Sequence, residues 1–96
     1  MKVTWSQVAR HDRIATYHYI AQDSVAAADK VDDAIKSKSL QLIDFPESGR
    51  PGRVKGTREL VVTGLPYVIV YAIRGDVVRI LRVLHGAQQW PDDLPH

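Results

Sequence analysis

The sequence predicts an α+β domain in the order β-α-α-β-β-β, a helical hairpin packed on one face of a small, mainly antiparallel sheet. Three observations predict it. Residues 7–43 repeat their apolar positions at helical spacing. Residues 57–85 change to β-branched and aromatic runs broken by short turns. Between them lies the turn-rich stretch Pro46-Glu47-Ser48-Gly49-Arg50-Pro51-Gly52, which reads as a loop and not a strand. At 96 residues the chain has room for one domain, not two. A chain of this size buries only about 60–70% of the surface its unfolded form exposes, so a tightly bound partner adds usefully to its stability.

Lys2 to Trp5 alternates polar and apolar residues, with Val3 and Trp5 on one side, and is a short first strand. Ser6 is placed to cap a helix over 7–21, whose inward face is Ile14, Tyr17, Ile20 and Ala21 at i, i+3, i+6 and i+7. Asp23-Ser24 breaks that pattern and caps a second helix, over 25–43. Ala28, Val31, Ile35 and Leu42 form its apolar stripe, and Asp29, Asp32, Asp33, Lys36 and Lys38 its wet side. The short linker makes the two an antiparallel hairpin. Phe45-Pro46 ends the second helix, because a residue before proline is pushed out of the α region.

Leu60-Val61-Val62 leads to a turn at Thr63-Gly64-Leu65-Pro66, then to the strand Tyr67-Val68-Ile69-Val70-Tyr71-Ala72-Ile73. Arg74-Gly75-Asp76 is a tight hairpin turn, and Val77 to His85 is the last strand, ended by Gly86. The domain covers 1–91, and 92–96 is expected to be a flexible tail. With the helices on one face of the sheet, the other face is left for basic residues.

Charge is unevenly spread. Residues 1–49 hold six Lys/Arg and seven Asp/Glu, a balance of −1. Residues 50–86 hold Arg50, Arg53, Lys55, Arg58, Arg74, Arg79 and Arg82 against Glu59 and Asp76, a balance of +5. Asp92 and Asp93 make the remainder −2. Such a field favours an anionic partner, either nucleic acid or an acidic protein. Arg53, Lys55, Arg58, Arg79 and Arg82 suit charge-assisted hydrogen bonds to phosphate or carboxylate. Tyr67, Tyr71 and Trp90 are the candidates for stacking on bases. Tyr71 alternates with Ile69 and Ile73 and belongs in the core, whereas Trp90 reads as a packing anchor.

The chain has no cysteine, which excludes disulfides and thiolate metal sites and fits a reducing cytosol. Met1-Lys2-Val3-Thr4-Trp5 has no apolar run of signal-peptide length, and no stretch nears the roughly 20 apolar residues of a membrane span. A cytoplasmic protein without membrane contact is expected. There is no P-loop, G-x-G-x-x-G or H-E-x-x-H, so no cofactor and no metal are expected. His11 and His18 lie seven apart on one side of the first helix and read as surface histidines, since a metal would need a third ligand; His96 is terminal. His85 closes the last strand beside Arg82. It either moves a proton or hydrogen-bonds a backbone group and fixes the tail.

The local patterns Leu42-Ile43-Asp44-Phe45-Pro46, Gly49-Arg50-Pro51, Gly56-Thr57-Arg58-Glu59-Leu60, Tyr67-Val68-Ile69-Val70-Tyr71 and Arg82-Val83-Leu84-His85-Gly86 come in a distinctive order. In that order and at this length, over nearly all of 1–91, the chain resembles the ParE/RelE superfamily of toxins from bacterial type II toxin–antitoxin modules, and its last pattern looks like the ParE branch. The resemblance implies a growth-arresting toxin, of the kind that stabilises plasmids, wrapped and neutralised by a cognate antitoxin and reaching operator DNA only through it. ParE-like members inhibit DNA gyrase and have no established catalytic set. RelE-like members cut messenger RNA on the ribosome without metal, using basic side chains and often a C-terminal tyrosine.

The ribonuclease pattern transfers poorly. Its arginine after the first tyrosine of the Tyr-x-x-Val-Tyr strand is Val68, its basic pair in the preceding strand is Glu59 and Val61, and its basic run after the strand-end glycine reads Ala87-Gln88-Gln89; no tyrosine follows Tyr71. The expectation is a gyrase inhibitor whose target or antitoxin contacts are Arg50, Arg53, Lys55, Arg58, Arg79, Arg82, His85 and Trp90. The alternatives are a ribosome-dependent messenger RNA interferase working through His85, Arg58 and Arg82, and a degenerate toxin that mainly binds its antitoxin.

Overall fold

Strand β1 (Lys2–Trp5) runs into helices α1 (Gln7–Ala21) and α2 (Val25–Asp44), followed by strands β2 (Arg50–Pro51), β3 (Arg58–Val61), β4 (Tyr67–Arg74) and β5 (Val77–His85). This is a computed structural model that describes residues 1–88, 90, 91 and 94. Gln89, Asp92, Asp93, His96 and, Leu94 apart, the expected tail at 92–96 lie outside the described residues. The five strands form one sheet in the order β1-β5-β4-β3-β2, with β1 parallel to β5 and every other pair antiparallel.

The β-α-α-β-β-β order therefore holds, with one correction. The stretch read as loop contains β2, where Arg50 pairs with Glu59 and Pro51 with Arg58. A strand of two residues has no period to detect, and proline, with no N–H to give, is tolerated here because β2 is the sheet edge.

Both helix caps form as expected. The Ser6 hydroxyl oxygen accepts the Ala9 N–H at 2.9 Å and its O–H donates to the Leu81 carbonyl at 2.8 Å, tying the start of α1 to β5. The Ser24 oxygen accepts the Ala27 N–H at 3.1 Å. Two polar rungs then cross the hairpin: Arg13 to both oxygens of Asp32 at 2.6 and 2.9 Å, and the Tyr17 hydroxyl to Asp29 at 2.6 Å.

Helix α2 buries the predicted stripe, Ala28, Ile35 and Leu42, with Val31 half-buried. Of the inward face expected for α1, Tyr17, Ile20 and Ala21 are half-buried and Ile14 is not. Ile14 is 56% exposed, while Ala9 is buried and Asp12, Arg13 and Thr16 are half-buried. The polar residues lie inward because each meets an opposite charge, Asp12 on Arg82 and Arg13 on Asp32.

Under the helices, Leu60, Val62, Ile69, Tyr71, Val78, Ile80 and Val83 form the core with Ala9, Ile35 and Leu42. The opposite face of the sheet carries basic residues over an apolar floor, because the register sets Arg79 opposite Ala72 and Arg82 opposite Val70. Alternation places Val68, Val70, Ala72 and Leu84 there, and all four are buried. A bulge in the β4–β5 register, where Val70 faces Arg82 and Tyr71 faces Ile80, leaves Leu81 as the extra residue. No helix among the described residues is long and apolar enough to cross a membrane.

Gly49 shows how tightly the turn into β2 is packed. A Cβ there would sit 2.7 Å from the Tyr71 hydroxyl and 3.0 Å from the Glu59 carbonyl oxygen. Gly49→Ala is expected to destabilise the fold by about 2–3 kcal/mol, since neither the buried ring nor the strand backbone can retreat; a urea unfolding midpoint would read the loss.

Candidate functional site

Half of the basic side chains expected to dock a partner hold the fold together instead. Arg58, at the start of β3, donates from one amino group to the carbonyls of Glu47 and Gly49 at 3.2 and 2.8 Å. Arg79 reaches from β5 to β1, meeting the Thr4 hydroxyl at 3.3 Å and the Trp5 carbonyl at 3.0 Å. Arg82 is held bidentately by Asp12 of α1, at 2.7 and 2.9 Å. The Asp12 hydrogen bonds, larger than the opposing effect of burial, raise the Arg82 pKa above its ordinary value. Arg82, expected among the target or antitoxin contacts, is engaged between β5 and the helical hairpin.

His85 fixes the segment after the last strand. Its Nδ1 accepts the Ala87 N–H at 3.0 Å, which places the ring proton on Nε2. Its backbone N–H donates to the Gln88 side-chain oxygen at 2.7 Å. The ring meets Tyr67 edge to face, with centroids 5.4 Å apart. Burial, with a smaller contribution from Tyr19, raises the Tyr67 pKa. Of the two roles open to His85 from sequence, this geometry fits the backbone one.

Tyr71 is fully buried, as its alternation predicts, but its hydroxyl has work that residue type did not reveal. It accepts the Gly49 N–H at 2.9 Å and donates to the Pro46 carbonyl at 2.7 Å, closing the turn that leads into β2. Burial raises its pKa, against the opposing pull of the Gly49 N–H and Arg58. Tyr71→Phe is expected to cost about 1.5–3 kcal/mol at neutral pH, because the Gly49 N–H is left unpaired in a buried place. At high pH the unfolded chain loses its tyrosine proton first. Stability is therefore complete below about pH 10 and falls as pH rises beyond it. Urea unfolding at pH 9 and pH 11 should show a smaller alkaline loss in Tyr71→Phe than in the parent.

The basic residues that stay exposed gather around the β2–β3 connection. Arg50 and Arg53 have side chains 58% and 55% exposed, and Lys55 is exposed beside them. Glu59, on β3 and only 3% exposed, accepts from an Arg50 amino group at 3.1 Å and from the Arg53 backbone N–H at 2.8 Å. Trp90 lies against Arg53, with the guanidinium carbon 3.6 Å from the ring centroid. Arg50, Arg53 and Trp90 are thus brought together around Glu59, with Lys55 exposed two residues on, and Arg58, Arg79, Arg82 and His85 are engaged elsewhere in the fold. Asp12 and Glu59 were missed as organising residues; for Glu59 the sequence signal was an acid placed among the basic residues of 50–58 and set on a strand rather than in a turn, unlike Asp76.

A second surface lies on the hairpin. A groove of about 540 Å³ is lined by Trp5, Arg10, Arg13, Ile14, Tyr17, His18 and Asp32. His11 and His18 are exposed, and among the described residues no three His, Cys, Asp or Glu side chains converge as metal ligands.

Residues 3–90 match the model of the ParE toxin family of type II toxin–antitoxin systems, parDE. The Y4kP protein of Sinorhizobium fredii (strain NBRC 101917 / NGR234) is 44% identical over 95 residues, covering 97% of this chain and 96% of the relative. Toxin RelE2 of Caulobacter vibrioides (strain ATCC 19089 / CIP 103742 / CB 15) is 37% identical over 87 residues, covering 91% and 97%. A solved chain from the chromosomal ParDE toxin–antitoxin system of P. aeruginosa superposes with a TM-score of 0.78 at 27% identity, over 88% of this chain and 95% of that one.

Proposed function

Because this chain belongs to the ParE toxin family of type II toxin–antitoxin systems, we propose that it arrests growth in the cytoplasm by docking on DNA gyrase, and that a cognate antitoxin neutralises it. The observation that carries the reading is the division of the basic residues. Arg58, Arg82 and His85 are the groups a reduced ribonuclease mechanism would need. All three are engaged with their own chain, and His85 already uses Nδ1 as an acceptor. Proton transfer at a scissile phosphate would fall to the Nε2 edge of His85, and the phosphate charge would have to be met by arginines already bonded to Gly49 and Asp12. Arg50, Arg53 and Lys55 remain exposed and suit the acidic surface of a protein.

The groove on the helical hairpin, where Ile14 is exposed and Arg10 lines the wall with no ion-pair partner among the described residues, suits an apolar segment of the antitoxin. Operator DNA is met through the antitoxin.

The test is to express the chain alone, follow growth, and assay gyrase supercoiling and ribosome-programmed messenger RNA cleavage in parallel. Arrest with blocked supercoiling and intact RNA is expected. Codon-specific cleavage that requires ribosomes and disappears in His85→Ala would replace this reading with the ribonuclease one. Absence of arrest would leave a degenerate toxin.

A further inference from the structure

We infer that Glu59 and Trp90 mount the Arg53 guanidinium as a preformed fork, shared with Arg50, for a carboxylate side chain of a partner protein. The inference rests on the docking reading above and gives that surface its chemistry. Arg53 is held at two levels. Its backbone N–H and its Nε both face the same oxygen of Glu59, at 2.8 and 3.7 Å, so loop and side chain are fixed by one buried acid. Its flat guanidinium face is covered by the Trp90 ring at 3.6 Å.

The indole Nε1 is itself buried and donates to nothing among the described residues. The ring's face against Arg53, rather than a hydrogen bond among the described residues, is the contact that ties it to the loop. A guanidinium stacked on its face keeps its in-plane N–H edges free for an acceptor, and those edges match a carboxylate two bonds at a time. Rotamer freedom that a free arginine would lose on binding is already lost here.

Charge selects the ligand. Among the described residues Arg50 and Arg53 share one carboxylate, that of Glu59, which leaves one positive charge uncompensated there before Lys55 is added. That suits a single acidic side chain. A nucleic-acid strand needs a continuous basic track, and Glu47 and Glu59 interrupt the positive field along 47–59. Glu59 and Trp90 are positioning residues; Arg53 and Arg50 touch the ligand.

The experiment is a nitrogen-15 NMR titration of the full chain, at fixed ionic strength, with a capped peptide of alternating glutamate and alanine and, separately, with a thymidine oligonucleotide of equal charge. The peptide is expected to move the Arg53 Nε–H and Trp90 indole resonances to saturation. Arg53→Ala should abolish the response, Trp90→Ala should weaken binding about tenfold, and Trp90→Phe, which keeps a ring face, should retain it. The proposal is overturned if the peptide leaves both resonances still, if the oligonucleotide binds tighter, or if a folded Trp90→Ala binds the peptide as the parent does. No gyrase enters this titration. Peptide binding without gyrase inhibition would sink the docking reading and leave the fork standing.

Discussion

Asp12→Ala is expected to destabilise the protein by about 3 kcal/mol, the largest loss from any single polar side chain here. The β1–β5 pairing stops at Trp5 and Ile80, so the rest of that edge of β5 needs other partners. Asp12 supplies one: besides holding both Arg82 donors, it accepts the Val83 N–H at 3.0 Å. The Asp12 and Arg82 side chains are only 13% and 20% exposed, so screening by solvent is slight. Alanine leaves a mostly buried guanidinium and an edge N–H without acceptors. Arg82→Met in the same background removes the orphaned charge and should recover part of the loss, with a coupling of about 1.5–3 kcal/mol in a double-mutant cycle. Equilibrium unfolding in guanidinium chloride measures both. A loss below about 1 kcal/mol for Asp12→Ala would return Arg82 to the list of free docking residues.

The largest effect on activity is expected from removing the exposed pair together. Arg50→Gln with Arg53→Gln keeps an amide donor for Glu59 while deleting two charges and the fork. Stability should fall by about 1–3 kcal/mol, because the buried Glu59 carboxylate keeps the Arg53 N–H but loses both counter-charges. Affinity for gyrase should fall about tenfold to a hundredfold, mostly through faster dissociation if the arginines make paired contacts and through slower association if they only steer. Surface-immobilised gyrase with the variant in flow separates the two rates. An affinity unchanged within about twofold would remove this end of the molecule from the interface.

What could be read from the sequence, and what could not, follows from the range of the interactions. Strands β4 and β5 were legible because Tyr67–Ile73 and Val77–His85 carry β-branched and aromatic residues around a glycine turn, and Gly75 indeed adopts a positive φ of 62°. The inward stripe of α2 was legible because Ala28, Ile35 and Leu42 recur at helical spacing and Asp29, Asp33 and Lys36 stay exposed. The inward face of α1 was legible only in part: Tyr17, Ile20 and Ala21 are half-buried, but Asp12 and Arg13 look like surface residues until their partners are placed. Arg82 lies 70 positions from Asp12 in sequence, and a charge pattern gives the sign of a side chain but not what it meets. The basic half was therefore visible while its division into clamps and free arginines was not. Trp90 could be read as an anchor, but nothing in the sequence pairs it with Arg53.

The account rests on separating the clamps from the contacts, and gyrase supercoiling in the presence of purified variants tests that separation. The parent and folded His85→Ala should both block supercoiling, and Arg50→Gln with Arg53→Gln should release it. Supercoiling restored by His85→Ala but still blocked by the double variant would contradict the account.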